Sequence, residues 1–285
     1  MFERQTTGSV VCPSCGRLVG VRDPQCLNCG RRNPGMWGFT QLFQKLGRDL
    51  GFGPIVIGTA LVVYLLGLAA DPSSIGGGGL FSMLSPGGEA QFLFGASGAL
   101  PVFGFDRWWT VLSAGWLHGG LLHIGFNLYW VKQLSPAVAH LYGPGRSVLI
   151  FFGSSVIGFA TTSLAGQFGG FLPAFLAGAT ITVGASAAIF GWLGALIYYG
   201  RRTGSSSLSQ QMLSFALPLF VLGLLLPMVD NWAHLGGFGG GWLLARWLDP
   251  LQPERIDHVV GAVVGYLLSL VAIVVSVLHG LQFLR

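Results

Sequence analysis

The chain has 285 residues, of which 52% are hydrophobic and only 9% charged, with 46 glycines and a formal net charge of +5. A mean hydropathy of +0.66 and so little charge exclude an ordinary soluble domain and point to a membrane protein; the glycines follow no Gly-X-Y period, which excludes collagen. The basic residues sit in short clusters between apolar stretches, so they read as topology signals and no nucleic-acid partner is expected.

In chain order, residues 1–33 hold all four cysteines. This part of the chain is polar and lacks an apolar h-region through residue 50, so no cleavable signal peptide is expected. Cys12-Pro-Ser-Cys15 and Cys26-Leu-Asn-Cys29 are two C-x₂-C pairs, each followed by glycine, which suits a tight knuckle. Four cysteines at this spacing fit tetrahedral zinc and resemble a small zinc ribbon. Two disulfides are the alternative. Residues 34–51 form a linker in which Phe39, Leu42, Phe43, Leu46 and Leu50 follow helical spacing, as an interfacial helix would.

From residue 52 onward the chain is almost wholly apolar. Helices are predicted at about 52–70, 115–134, 146–166, 184–200, 208–228, 231–248 and 259–282. A spanning helix needs roughly 20 apolar residues; 184–200 is short, which requires its lead-in to be buried by protein or to line a wet cavity. Segment 71–110 is too broken to span and is expected to lie in the outer interface with Trp108, Trp109 and Trp116.

With the N-terminus inside, all the Lys and Arg residues except Arg107 and Arg285 fall on the inner side. This obeys the positive-inside rule. It places the cysteines in a reducing compartment, which favours metal over disulfides. It also implies a multi-pass protein of the plasma (inner) membrane with a cytoplasmic N-terminus.

Polar groups inside apolar helices are costly and mark function. Four stand out: His123 and Asn127 in the second helix, Ser186 at the head of the fourth, and His234 in the sixth. These three helices run outside to inside and carry the four residues in their first turns, so all four share one layer below the outer surface. A Ser level with a neutral His is a potential nucleophile–base pair. Gly237 and Gly241 share a face with His234, and Ser186 shares a stripe with Phe190 and Gly194, permitting close approach. Phe190 is placed to stack on the imidazole. His123 and Asn127, at i and i+4, project together as oxyanion donors beside the Ser186 N–H. Asp230 lies in the loop before the sixth helix, so a dyad is the simpler arrangement. His118 is expected near the outer mouth in a structural hydrogen bond; His140, His258 and His279 fall outside the layer.

These residues resemble the rhomboid intramembrane proteases. Val183-Gly-Ala-Ser186-Ala-Ala-Ile-Phe190-Gly is similar to the family's Gly-x-Ser motif. Asn231-Trp-Ala-His234-Leu-Gly-Gly237-Phe-Gly-Gly-Gly241 is similar to its Ala-His-x-x-Gly-x-x-x-Gly helix, and His118-Gly-Gly-Leu-Leu-His123-Ile-Gly-Phe-Asn127 to its oxyanion helix. The resemblance spans roughly residues 54–250. It implies Ser186 as nucleophile, His234 as base, His123 and Asn127 as oxyanion support and Phe190 packed on His234. It implies cleavage of single-span membrane proteins near the outer interface, with no catalytic cofactor. Two departures stand out. Ala187 replaces the glycine after the nucleophile, adding a methyl expected to narrow the oxyanion site. The family's Trp-Arg pair appears as Trp109-Thr110 with Arg107 displaced, and no role is carried onto Arg107.

The expected architecture is therefore an all-α polytopic membrane protein. It comprises a zinc-ribbon-like module (1–33), an interfacial linker (34–51), a six-helix rhomboid-like core (52–250) and a loop with one extra C-terminal transmembrane helix (251–285). The alternative function is a weak or inactive relative that binds membrane clients. The expected partners are transmembrane substrates and the bilayer, with a regulatory protein as a possible ligand of the ribbon.

Overall fold

A computed structural model describes residues 4–13, 15–40, 49–71, 79, 82–170, 177–226 and 229–282. Most of the linker helix expected around Phe39–Leu50, including Leu42, Phe43 and Leu46, lies outside the described residues. At the N-terminus, strands β1 (Ser9–Val11) and β2 (Leu18–Gly20) pair antiparallel. Val10, Val19, Val21, Cys12 and Cys26 form a small core of their own beneath this hairpin.

Among the described residues, seven long helices follow: α1 (Phe52–Ala70), α2 (Leu121–Tyr142), α3 (Pro144–Phe168), α4 (Ser186–Thr203), α5 (Ser206–Leu225), α6 (Asn231–Trp247) and α7 (Ile256–Gly280). Four of them, α1, α3, α5 and α7, are long and apolar enough to cross a membrane. The other three carry the polar layer, and they are short or diluted by Gly, His and Asn. Of these, α4 is sheathed by its neighbours: Ala187 to Ile197 is buried without interruption.

The α4–α6 contact is where small side chains matter. A Cβ on Gly237 would stand 2.1 Å from the Ala187 carbonyl oxygen, and one on Gly241 would meet the Gly191 carbonyl oxygen at 2.0 Å. Backbones this close gain dispersion contacts that larger residues forbid. On the other side of α4, Trp192 is fully buried among Phe52 and Phe151 and donates its Nε1–H to the Ser147 carbonyl at 2.9 Å. Buried Asp49 orders the start of α1 by accepting the N–H groups of Gly51 and Gly53, and it accepts the Ser135 hydroxyl of α2 at 2.6 Å.

The helix bounds depart furthest from expectation at the second helix, the others falling within three residues of it. The second helix starts at Leu121 rather than 115, because Ala114–Trp116 forms a separate 3₁₀ turn, and it continues through Pro136 to Tyr142. The loop before it is built rather than merely interfacial: it contains a short helix, Gly88–Phe94, and a turn of helix, Thr110–Ser113. Trp108 is 67% exposed, as an interfacial residue would be, but Trp116 is buried and donates to Ser269 Oγ of α7 at 3.0 Å. Interfacial placement of Trp116 is thus corrected: its indole N–H has a polar partner inside the fold.

Helix α7 is fastened at both ends. Near its start, buried Arg146 donates to His258 Nδ1 and to the carbonyls of Gln252 and Pro253. Near its finish, Arg107 is fully buried. It donates one N–H to the Phe92 carbonyl at 2.8 Å and another to the Ser276 carbonyl at 2.9 Å, with its guanidinium over the Phe92 ring. Trp109 donates to Ser276 Oγ at 3.0 Å.

Candidate active site

Ser186 is the first residue of α4, and its backbone N–H therefore has no acceptor within the helix. The turn into α4 is bonded to the preceding loop. Ser97 and Thr182 exchange backbone hydrogen bonds of 3.1 and 2.8 Å, and Gly184 donates to the Ala114 carbonyl at 3.0 Å. The short fourth helix thus has the protein-buried lead-in that its length requires.

His234 lies one turn into α6, whose N-cap is Asp230; that carboxylate accepts the Ala233 N–H at 3.0 Å and the Thr162 hydroxyl at 2.9 Å. Asp230 is thereby committed to starting the helix and bracing it on α3. The His234 ring presents Nε2 to Ser186 Oγ at 2.8 Å. Its Nδ1 is buried and has no hydrogen-bond partner among the described residues, so the arrangement is a pair and not a triad. Phe190, one turn after Ser186, stacks on the imidazole with centroids 4.2 Å apart and planes 12° from parallel. The stacking geometry anticipated for Phe190 is present.

His123 Nδ1 accepts the Gly119 backbone N–H at 3.1 Å. A ring nitrogen that accepts carries no proton, so the neutral ring carries its hydrogen on Nε2. That Nε2 and Ser186 Oγ both lie within 4 Å of one point, the position a Cβ on Gly184 would take. Gly184 has φ +128°, in the region favouring glycine. It holds open the space between an N–H donor and the serine oxygen, a role the sequence reading did not assign. Asn127 is buried and donates from Nδ2 to the His123 carbonyl at 2.9 Å, one turn along α2. His118 is buried, with its ring 5.2 Å from that of His123.

Ala187 also differs from expectation. Its methyl is buried, and a Cβ on Gly158 of α3 would meet it at 2.8 Å. The methyl is directed at a glycine on α3, which supplies the room that the substitution needs.

At the other end of the molecule, the four cysteines form no disulfide, and their sulfurs all lie within 4.8 Å of one another. Cys12 and Cys29 Sγ are 3.8 Å apart, and Cys15 and Cys26 Sγ 3.7 Å. The two knuckles repeat one geometry. Cys12 and Cys26 each receive an N–H from the glycine four residues on, at 2.9 Å, and each donates to the arginine carbonyl five residues on, at 2.8 Å. Burial, and then the surrounding sulfurs, push the Cys29 thiol up to about 12 against one lowering amide contact from Arg31. Four thiolates so close together are stable only around a cation, and the cluster fits a metal ion.

The fold and site define a helical multi-pass membrane protein with a part-buried serine–histidine pair. The rhomboid domain family profile matches residues 106–251, just over half of the chain, and the chain belongs to the rhomboid family. It is 30% identical over 145 residues to the rhomboid protease GluP of Bacillus subtilis, covering 50% of this chain and 26% of that protein. It is 34% identical over 143 residues to RHOMBOID-like protein 4 of Arabidopsis thaliana, covering 49% and 34% respectively. Against Rhomboid-type serine protease 2 of Emericella nidulans it is 34% identical over 145 residues, covering 49% and 26%. The matched segment thus spans only about a quarter to a third of these relatives' lengths.

Proposed function

We propose that this chain hydrolyses peptide bonds of single-span membrane proteins near the outer bilayer interface, with Ser186 as nucleophile and His234 as general base. The observation that carries the reading is the 2.8 Å contact between Ser186 Oγ and His234 Nε2 beneath a stacked Phe190. In the reaction, Nε2 takes the hydroxyl proton as Oγ attacks the scissile carbonyl. The imidazolium returns that proton to the leaving amine, and water then repeats the sequence in reverse on the acyl-enzyme. The Ser186 N–H, the His123 Nε2–H and the Asn127 amide supply donors to the developing oxyanion. Phe190 restrains the ring so that Nε2 keeps facing Oγ.

Ala187 is the feature that would favour a non-catalytic client-binding relative, and its methyl packs on α3 instead. The proposed topology keeps the N-terminus cytoplasmic in the plasma (inner) membrane, and zinc is the proposed metal of the ribbon. For Zn–S bonds of about 2.3 Å, a tetrahedron has edges of about 3.8 Å, which supports zinc against the sulfur separations above.

The deciding experiment reconstitutes the purified chain with a single-span reporter. Cleavage by the wild type and none by Ser186→Ala, at equal expression, is expected; persistent cleavage by that variant refutes the assignment.

A further inference from the structure

A cavity of about 430 Å³ opens between the second cysteine knuckle and the first turn of α7, walled by Arg31 and Arg32 on one side and Glu254, Arg255, Ile256 and Asp257 on the other. Helix α7 is 25 residues long, about 37 Å at 1.5 Å each, against a hydrocarbon core of about 30 Å. Its first turn therefore lies at a bilayer surface, whichever way the chain crosses. Below the cavity, Ile256, Val260 and Val263 are all more than half exposed, leaving an open apolar strip on the membrane side.

The charges in the cavity do not cancel locally. Asp257 is engaged by Arg255, Nε to Oδ1 at 3.1 Å and Nη2 to Oδ2 at 2.6 Å, and also accepts the His258 N–H. Glu254 accepts the Arg146 backbone N–H at 2.9 Å through Oε1, and Arg31 lies close enough to bias its charge. Asp257 is thus occupied within the protein at both oxygens, and Glu254 is held through Oε1, its Oε2 being buried without a hydrogen-bond partner among the described residues. The Arg32 side chain is exposed and has no partner among the described residues. A planar guanidinium above an apolar strip matches a phosphate carried on acyl chains.

The geometry points to a composite site for the phosphate of an anionic bilayer lipid, with Arg32 and Arg31 on the headgroup and Ile256, Val260 and Val263 along the chains. Arg31 and Arg32 follow Cys29 within three residues, so their position depends on the folded knuckle. Metal loading and lipid binding are therefore linked: removing the metal dissolves one wall of the site.

The test titrates the purified full-length protein with phosphatidylglycerol and phosphatidylcholine and reads bound lipid by native mass spectrometry. Phosphatidylglycerol is expected to bind more tightly. Arg32→Gln weakens it about fivefold, the worth of one basic residue at a membrane surface, with metal content unchanged. Arg255→Gln, outside the ribbon, weakens it at least as much because it also frees Asp257. Stripping the metal abolishes the preference. Val260→Asn weakens phosphatidylglycerol while leaving binding of inorganic phosphate unaltered. Equal retention of the two lipids, or a preference untouched by Arg32→Gln and Arg255→Gln, overturns the site. Displacement of phosphatidylglycerol by inorganic phosphate alone at millimolar concentration assigns it to a free anion and overturns the lipid source.

Discussion

Replacing Gly237 by alanine tests whether the serine–histidine pair depends on the close approach of α4 and α6. The new Cβ would stand 2.1 Å from the Ala187 carbonyl oxygen, where ordinary contact begins at about 3.4 Å. The obstacle is backbone, which has no rotamer to give. The helices must part locally by about 1.3 Å, enough to stretch the 2.8 Å Ser186–His234 contact beyond hydrogen-bonding range. A 1 Å misplacement of reacting groups costs about 100-fold in rate, and overpacking costs about 1–3 kcal/mol of stability. The assay is the rate of reporter cleavage, read beside the thermal unfolding midpoint. Gly239→Ala on the same helix is the control, because a Cβ there meets nothing within 4 Å. Cleavage by Gly237→Ala within a few-fold of Gly239→Ala would refute the reasoning.

Four further outcomes follow from particular contacts. Gly184→Ala places a Cβ 2.7 Å from His123 Nε2 at a φ of +128°, and is expected to lower cleavage at least about 100-fold with little loss of reporter binding in a pull-down. Phe190→Ala removes a stacking contact worth about 0.5–1.5 kcal/mol, so kcat should fall about 3- to 10-fold and Phe190→Tyr should restore it. Arg107→Gln leaves two backbone carbonyls, those of Phe92 and Ser276, without a charged donor; a loss of about 2–4 kcal/mol is expected in denaturant unfolding. Arg107→Lys should not recover it, because a point ammonium cannot reproduce the planar fork. Cys26→Ser or chelation should remove one equivalent of zinc by elemental analysis and collapse amide-exchange protection across residues 9–32, since metal binding supplies much of such a small module's folding energy.

The number of long helices among the described residues and their order were legible because hydrophobic length is a local property, and the Ser186–His234 contact because each residue heads its own helix. Phe190 was legible because one helical turn separates it from Ser186. What escaped depends on tertiary partners. Nothing in the loop around Arg107 says that its guanidinium reaches a carbonyl on α7, more than 160 residues away in sequence. The available signal was on α7 itself, where Ser269 and Ser276 stand seven apart, on one face of an otherwise apolar helix. Trp116 belongs to the same omission, since its buried N–H is satisfied by Ser269. The direction of the Ala187 methyl likewise required knowing that Gly158 on α3 faces it. Gly184 looked like one glycine among 46; its positive φ and its place between His123 and Ser186 exist only once α2 and α4 are side by side.

The central claim is that Ser186 is a nucleophile activated by His234. Its most direct test treats the reconstituted protein with a fluorophosphonate and maps the adduct by peptide mass spectrometry. The account predicts a single adduct on Ser186, lost in His234→Ala while helix content and metal content are unchanged. An unlabelled folded protein, or labelling of Ser186 that persists without His234, would contradict it.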